Sequence, residues 1–273
     1  MDTFSRFRQG LLNWSSRLSG LGGGDMLLEI GLAVLVGLGS AAGVWVLKQL
    51  IELFQHLFFQ QAFGALSPLG GWVVALFPVL GGLLVGGLVW RWLRGEKHHG
   101  VAGIMESIAL GGGRLNYRLI PLKTLASSLS IGCGASVGPE DPSVQIGTNF
   151  ASLVGQKLGF SEERMRTLVA AGAAGAIAAA FNAPIAAVFF ALEVILGEIS
   201  GSGLSLVVLS SVSSAVFTQA VSGPQPAFKV PAYTFNSPWE VLIYMGLGLL
   251  AGFVAAGYVR LLYFSKDRFD RSR

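Results

Sequence analysis

Residues 131–150, IGCGASVGPEDPSVQIGTNF, place the adjacent carboxylates Glu140 and Asp141 between two prolines in a mostly apolar chain. Proline fits the first turn of a helix because its missing N–H group would have no partner there. We therefore predict a helix from about Pro142 to Lys157, with Asp141 as its N-cap. A helix start attracts anions through its free N–H groups and its dipole. Since a carboxylate at membrane depth indicates function, we interpret Glu140 as the gate of an anion site.

The composition indicates a membrane protein. Hydrophobic residues make up 52% of the chain and charged residues 12%, against roughly 25% charged residues in soluble proteins, and the mean hydropathy is +0.63. The 38 glycines suit close contacts between helices in lipid. The net charge of +4 comes from basic residues at segment ends, which predicts topology rather than nucleic-acid binding. We expect an integral, multi-pass membrane protein with no nucleic-acid partner.

Apolar segments long enough to cross a bilayer are predicted at residues 26–59, 72–93, 203–222 and about 239–264. Basic residues flank both ends of the first pair, which places both flanks in the cytoplasm. Residues 1–25 are basic and weakly amphipathic, and we interpret them as a cytoplasmic interfacial segment and linker. We expect the plasma (inner) membrane, with a cytoplasmic N-terminus.

The remaining segments are short or interrupted. A half-helix is predicted from near Gly103 to just before Gly111, where three glycines follow. Residues 167–181 are almost all small, which predicts a helix packed among other helices rather than facing lipid. The run FNAP breaks that helix, and another is predicted from Pro184 to about Glu198. Short and broken helices in one chain are typical of transporters and related channels.

Three pieces of this sequence, GVAGIME, GPEDPSVQIG and AAGAAGAIAAAFNAPIAAVFFALEV, carry a family resemblance. In their order and spacing they resemble the CLC family of chloride channels and chloride/proton exchangers. The resemblance covers about residues 30–265 and implies an all-α membrane protein of tilted and broken transmembrane helices. It assigns residues 26–265 to the first half of the CLC inverted-repeat architecture, and residues 266–273 to a basic tail. In that family two inverted halves meet at the ion pathway, and two complete subunits form a dimer.

The same resemblance implies the site. In the family, chloride lies at helix N-termini and a glutamate in a GREGP-like motif blocks the outer ion site. Glu140 falls on that glutamate and is the expected gate. The expected anion-binding positions are Ala102, Gly103, Ile104, Gly138, Pro139, Asp141 and Pro142. The expected partners are chloride or another small anion, the lipid bilayer and a second subunit of a homodimer. No metal, nucleotide or organic cofactor is implied, and no enzymatic activity is expected.

Several positions depart from the family pattern. Ala102 stands where the family has a chloride-contacting serine, and Met105 where it has a proline. Pro139 replaces an arginine and removes a backbone donor, while Asp141 replaces a glycine. An ionised Asp141 would repel an anion unless its carboxylate turned onto the N–H groups of its own helix. We predict an altered anion affinity or selectivity.

The run FFALEV bears on coupling to protons. Exchangers of the family commonly carry two successive glutamates here, and the second relays protons to the inside. The first falls on Glu193 and the second on Val194, which cannot carry a proton. This favours a passive channel, with a proton-coupled antiporter as the alternative. Glu193 itself is also interpreted as a paired or water-facing residue near a helix end.

Other readings stay open. The chain ends after the segment that would close the first half, which indicates either a piece of a longer protein or a subunit that needs a partner. A non-conducting membrane half-domain is a further alternative. The run GASVG fits G-x-S-x-G and makes Ser136 a candidate nucleophile of an intramembrane hydrolase. That chemistry needs a histidine base, and the histidines are His56, His98 and His99, all near segment ends.

Overall fold

A computed structural model describes residues 24–93, 100–197, 203–224 and 237–270 of the chain. Within these ranges all regular structure is helical and there is no strand. The chain divides into two units, residues 1–228 and residues 229–273. The predicted N-terminal interfacial segment, as well as His98 and His99, lies outside the described residues.

The first unit is a bundle of long and short helices. They are α1 Gly24–Gln55, α2 Leu76–Trp92, α3 Gly100–Gly111, α4 Ile120–Gly132, α5 Glu140–Leu158, α6 Glu162–Phe181, α7 Pro184–Phe190 and α8 Leu204–Ser222. Helix α1 continues through a π-helical stretch, His56–Ala62, and a last turn, Phe63–Leu66. Helix α7 likewise continues as the π-helical turn Ala191–Leu196. Short 3₁₀ segments lie at Ser67–Leu69, Gly71–Ala75 and Tyr117–Leu119.

The predicted membrane spans agree with the helices. Four stretches in the described residues are long and apolar enough to cross a bilayer: Met26–Leu66, Gly71–Trp92, Leu204–Ser222 and Trp239–Ser265. The first is longer than predicted because the π-helical stretch carries the helix past His56 to Leu66. A helix of this length must tilt or extend beyond the hydrocarbon layer.

Helix α6 forms the centre of the bundle. It packs against α1, α5, α7 and α8, and every residue from Leu168 to Ala180 is buried. Small side chains let neighbouring backbones approach closely, which replaces the hydrophobic driving force that is missing in lipid. The prediction that residues 167–181 lie among other helices is confirmed.

The crossing of α5 and α6 depends on two glycines. A Cβ atom added at Gly147 would collide with the carbonyl oxygen of Gly172, and one added at Gly172 would collide with the carbonyl oxygen of Gly147. The two backbones are therefore in direct contact at this point. Any side chain on either residue would push the helices apart.

Serines of α8 attach that helix to the bundle. Ser210 Oγ donates a hydrogen bond to the carbonyl oxygen of Ala171 at 2.7 Å, and Ser214 Oγ donates to that of Gly175 at 2.5 Å. Both serines are fully buried. Such bonds between helices are a common device in membrane bundles.

The C-terminal end of α6 is held by a lysine of α1. Lys48 Nζ donates to the carbonyl oxygens of Ala179 and Ala180, each at 2.9 Å. The last carbonyls of a helix have no intrahelical donor and carry the negative end of the dipole. Asn182 then adopts a left-handed conformation with φ of 54°, and Pro184 begins α7 as predicted.

The second unit contains helix α9, Trp239–Asp270. No residue in its apolar window is buried within the structure described. Helix α9 runs past the predicted end of the last span and through the first residues of the predicted basic tail, to Asp270.

Candidate anion site

The start of α5 differs from the prediction by two residues. The helix begins at Glu140, and its N-cap is Pro139, with φ of −82° and ψ of 2°. Both the N–H and the hydroxyl of Ser143 donate to the carbonyl oxygen of Pro139, at 3.0 and 2.6 Å. Because the first helical hydrogen bond closes on Pro139, the prediction that Asp141 is the N-cap was wrong.

The prolines limit how many donors this helix start can offer. The first four N–H groups of a helix have no intrahelical partner, and here they would belong to Pro139, Glu140, Asp141 and Pro142. The two prolines have no N–H group. The first turn therefore offers the N–H groups of Glu140 and Asp141 only, and neither Pro139 nor Pro142 can donate to an anion.

Glu140 lies at the first position of α5 and its side chain is exposed. The carboxylate folds back over the preceding loop, so that a Cβ atom at Gly138 would collide with it. Gly138 thus leaves the space that the carboxylate takes up. The predicted gate is thus an exposed side chain at a helix start.

The predicted half-helix begins earlier than expected. Helix α3 starts at Gly100 rather than near Gly103, with Gly100 at φ of +79°. The N–H groups left without an intrahelical partner therefore belong to the first residues from Gly100 to Ala102. Gly103 and Ile104 lie in the hydrogen-bonded part of the helix, and Ile104 is buried in the core. Of the three predicted residues, only the exposed Ala102 keeps a free backbone donor.

Asp141 joins the two helix starts. One carboxylate oxygen, Oδ1, accepts a hydrogen bond from the backbone N–H of Val101 at 2.8 Å. The other, Oδ2, accepts one from Gln145 Nε2 at 2.7 Å. From the sequence, an ionised Asp141 would repel an anion unless its carboxylate turned onto the N–H groups of its own helix. In the structure the carboxylate accepts a backbone N–H of α3 and a side-chain amide of its own helix instead. Val101 and Gln145 were missed, although the i,i+4 spacing of Asp141 and Gln145 was an available signal.

A cavity of about 430 Å³ lies beside the start of α5. Its walls come from α2, α4 and α5, and from the loop before α5. The lining residues are Val85, Val89, Leu93, Lys123, Ala126, Ser127, Ser130, Ile131, Val137, Gly138, Asp141, Pro142 and Gln145. The structure thus brings Gly138, Asp141 and Pro142, predicted from one motif, to a single cavity.

Ser136, the candidate nucleophile, is exposed in the loop between α4 and α5. A nucleophile elbow lies on a sharp turn between a strand and a helix. Here a helix, ending at Gly132, precedes the loop instead of a strand. The structural context that the G-x-S-x-G motif requires is not the one found at Ser136.

The profile of the family described as "Voltage gated chloride channel" matches residues 81–273. The chain belongs to this family. A ClcB-like protein of Ralstonia nicotianae is 36% identical over 206 residues, which cover 74% of this chain and 48% of the relative. A voltage-gated ClC-type chloride channel, ClcB, of Yersinia pseudotuberculosis is 32% identical over 252 residues, 89% of this chain and 60% of the relative. The chain therefore spans about half to three fifths of the length of these relatives.

A solved structure with the same fold is that of a slow cyanobacterial Cl⁻/H⁺ antiporter. It superposes with a TM-score of 0.73 at 21% identity, covering 89% of this chain and 58% of the antiporter. The recognition of the CLC family from its motifs is confirmed. So is the fold class, an all-α membrane protein of long and broken helices with the CLC fold.

Glu193 and Val194, which the sequence comparison of motifs predicted to bear on proton coupling, lie in the π-helical turn Ala191–Leu196. Glu193 is exposed and Val194 is half-buried. A π-helical turn inside a longer helix is rare and is frequently found at functional sites. The helix ends at Leu196, and its C-cap, Gly197, has φ of +72°. The predicted end near Glu198 lies outside the described residues.

Proposed function

We propose that this chain forms the first half of a transmembrane pathway for chloride or another small anion, with Glu140 as the gate. The observation that carries the proposal is the meeting of two helix starts, α3 and α5, linked by Asp141 and Val101. Helix starts direct N–H groups and the positive end of the dipole at one place, which favours anions. Family membership makes anion transport the function to test first.

Backbone donors suit conduction as well as binding. An ion pathway must hold its ion strongly enough to admit it and weakly enough to release it. Neutral N–H groups can hold an ion without a full positive charge, and Pro139 stands where the family motif has an arginine. With only two donors in the first turn of α5, we expect an anion affinity or selectivity that differs from that of relatives with the full motifs.

The gate is proposed to act by charge. Ionised Glu140 occupies an anion position, and its protonation or displacement opens the path. Transport is then expected to rise as the external pH falls. The exposure of Glu140, and the space that Gly138 leaves for its carboxylate, support a side chain that can move between two positions.

The test is chloride efflux from liposomes that contain this chain together with the second half of the pathway, measured for the parent protein and for Glu140→Gln. We expect efflux that no longer depends on external pH, because glutamine cannot carry the gating charge. Glu163→Gln is the matched control, since Glu163 is an exposed glutamate in the first turn of α6. A Glu140→Gln variant that still closes at neutral pH would contradict the proposal that Glu140 is the gate. No efflux at all would favour a non-conducting half-domain.

We propose a channel rather than an exchanger, because Val194 cannot relay a proton. The alternative, a proton-coupled chloride/proton antiporter, is supported by the exposed Glu193, which lies one residue away in the same π-helical turn. Proton flux recorded during the same efflux experiment separates the two. Chloride movement without protons favours the channel. Stoichiometric proton movement that Glu193→Gln abolishes would establish the antiporter.

We also propose that complete subunits pair as homodimers in the plasma (inner) membrane, with the N-terminus in the cytoplasm. The buried Cys133 is the single cysteine in the sequence. Cysteines introduced near each predicted span end can therefore be labelled from either side of the membrane without a competing exposed thiol. Labelling of an N-terminal cysteine from the outside would reverse the proposed orientation.

A further inference from the structure

The carboxylate of Asp141 lies at the start of α3, where the helix would otherwise direct a free donor at an anion. Its Oδ1 accepts the N–H of Val101 at 2.8 Å. A Cβ atom added at Gly100 would come within 2.8 Å of the same oxygen. The carboxylate therefore lies directly against the first residues of α3, and Gly100 leaves the space for it.

A second contact sets the direction of this carboxylate. Gln145 Nε2 donates to Oδ2 at 2.7 Å, one helical turn further along α5. Because each oxygen has its own donor, the group is held in one orientation with Oδ1 on α3. Asp141 is half-buried, so its charge is only partly screened by solvent.

We propose that Asp141 acts as a tethered anion that competes with the transported anion for the start of α3. Asp141 would then influence which anions bind at the start of α3, and Gln145 would hold the Asp141 carboxylate in position. The inference rests on the proposed function, since it concerns the same pathway. It predicts that the chain binds its anion more weakly than a variant without this carboxylate does.

The surroundings allow the carboxylate to leave. Asp141 and Gln145 both line the cavity of about 430 Å³ beside the start of α5. The cavity gives a released carboxylate open space in that direction. Glu140, the adjacent residue, adds a second negative charge at the same helix start. An anion that arrives at α3 would therefore displace Asp141 toward the cavity.

Chloride affinity is the decisive quantity, and we would measure it twice, with potassium chloride as the probe and isethionate as the inert replacement. Calorimetric titration of the purified protein gives binding, and half-saturation of efflux from liposomes gives transport. Asp141→Asn removes the charge but keeps an acceptor for Val101, and Asp141→Gly removes both. We expect roughly tenfold tighter chloride binding in Asp141→Asn, because a fixed like charge nearby disappears, and binding at least as tight in Asp141→Gly.

Gln145→Leu keeps the charge but frees Oδ2, so we expect an intermediate increase in affinity. It is also the second variant to use if substitution of Asp141 prevents folding. Glu163→Gln, which removes a carboxylate from the first turn of another helix, is expected to leave the chloride affinity unchanged.

The outcomes separate the two proposals. Tighter binding in Asp141→Asn without efflux in any variant would support the tethered anion and overturn the transport function. Efflux that responds to Glu140→Gln, with chloride affinity in the Asp141 and Gln145 variants within about twofold of the parent, would overturn the tethered anion alone. A lower melting temperature in Asp141→Asn at unchanged affinity would also overturn it, because Asp141 would then only tie α3 to α5.

Discussion

The middle and the start of helix α5 are held in place by different means. In the middle, Gly147 touches the backbone of α6 at Gly172, and no side chain fits between them. At the start, one side-chain hydrogen bond from Val101 to Asp141 links α5 to α3, next to a cavity. The position of α5 is therefore set by close packing in the middle, whereas its start carries polar groups beside a cavity.

The largest effect is expected at the crossing. Gly172→Ala places a methyl group against the carbonyl oxygen of Gly147, which is backbone and cannot rotate away. Overpacking of this kind costs about 3 kcal/mol, near the upper end of its usual range. Thermal unfolding in detergent and the yield of monodisperse protein measure the loss.

Gly82→Ala in α2 is the matched control for that substitution. A Cβ atom at Gly82 meets nothing within 4 Å, so the change is expected to be neutral, or stabilising by up to about 1 kcal/mol through helix propensity. Equal melting temperatures for the two variants would show that the crossing is not the tight contact described here.

A smaller loss is expected at the end of α6. Lys48→Met removes the donor to the carbonyl oxygens of Ala179 and Ala180. Hydrogen bonds from a charged group, together with the helix dipole, indicate a loss of about 2 kcal/mol in the free energy of unfolding. Lys48→Arg keeps the charge and the donors, and should retain most of that stability. A Lys48→Met variant as stable as the parent would mean that packing alone holds α1 to α6.

The serines of α8 should contribute less. Ser214→Ala removes the hydrogen bond to the carbonyl oxygen of Gly175, and such bonds between membrane helices are worth about 0.6 to 1.7 kcal/mol. Ser205→Ala, at an exposed position on the same helix, is the control. If both substitutions shift the melting temperature equally, the buried hydrogen bond adds nothing beyond the general effect of replacing serine on α8.

The sequence predicted the close packing of the bundle, but it did not predict the geometry at the start of α5. The burial of residues 168–180 followed from composition, since helices rich in small residues pack closely against other helices in a membrane. The spans followed from the length of their apolar runs. The predicted start of α5 was two residues too late. Pro139 and Pro142 each suit a helix start, and the sequence around them does not show which of the two is used.

The partner of Asp141 could not have been found from local patterns. Val101 lies 40 residues away in the sequence and contributes a backbone N–H, a donor that every residue except proline has. Only the tertiary arrangement of α3 and α5 selects it. The motifs identified Asp141 as unusual because they put it in place of a glycine, but its contact depends on where two separate helices begin.

Pro139→Ala is expected to change the stability least of all these substitutions. It should still change anion binding measurably. Pro139 is the N-cap of α5 and has no N–H group, so alanine restores one donor to a helix start that otherwise has two. One additional hydrogen bond corresponds to about 1 kcal/mol, or roughly fivefold tighter anion binding. Stability should change by less than about 0.5 kcal/mol, because no packing contact of the crossing is altered. Pro121→Ala, which restores a donor in the first turn of α4, controls for the loss of a proline. If Pro139→Ala binds chloride no better than Pro121→Ala does, the anion does not use the start of α5, and the start of α3 alone would carry the site.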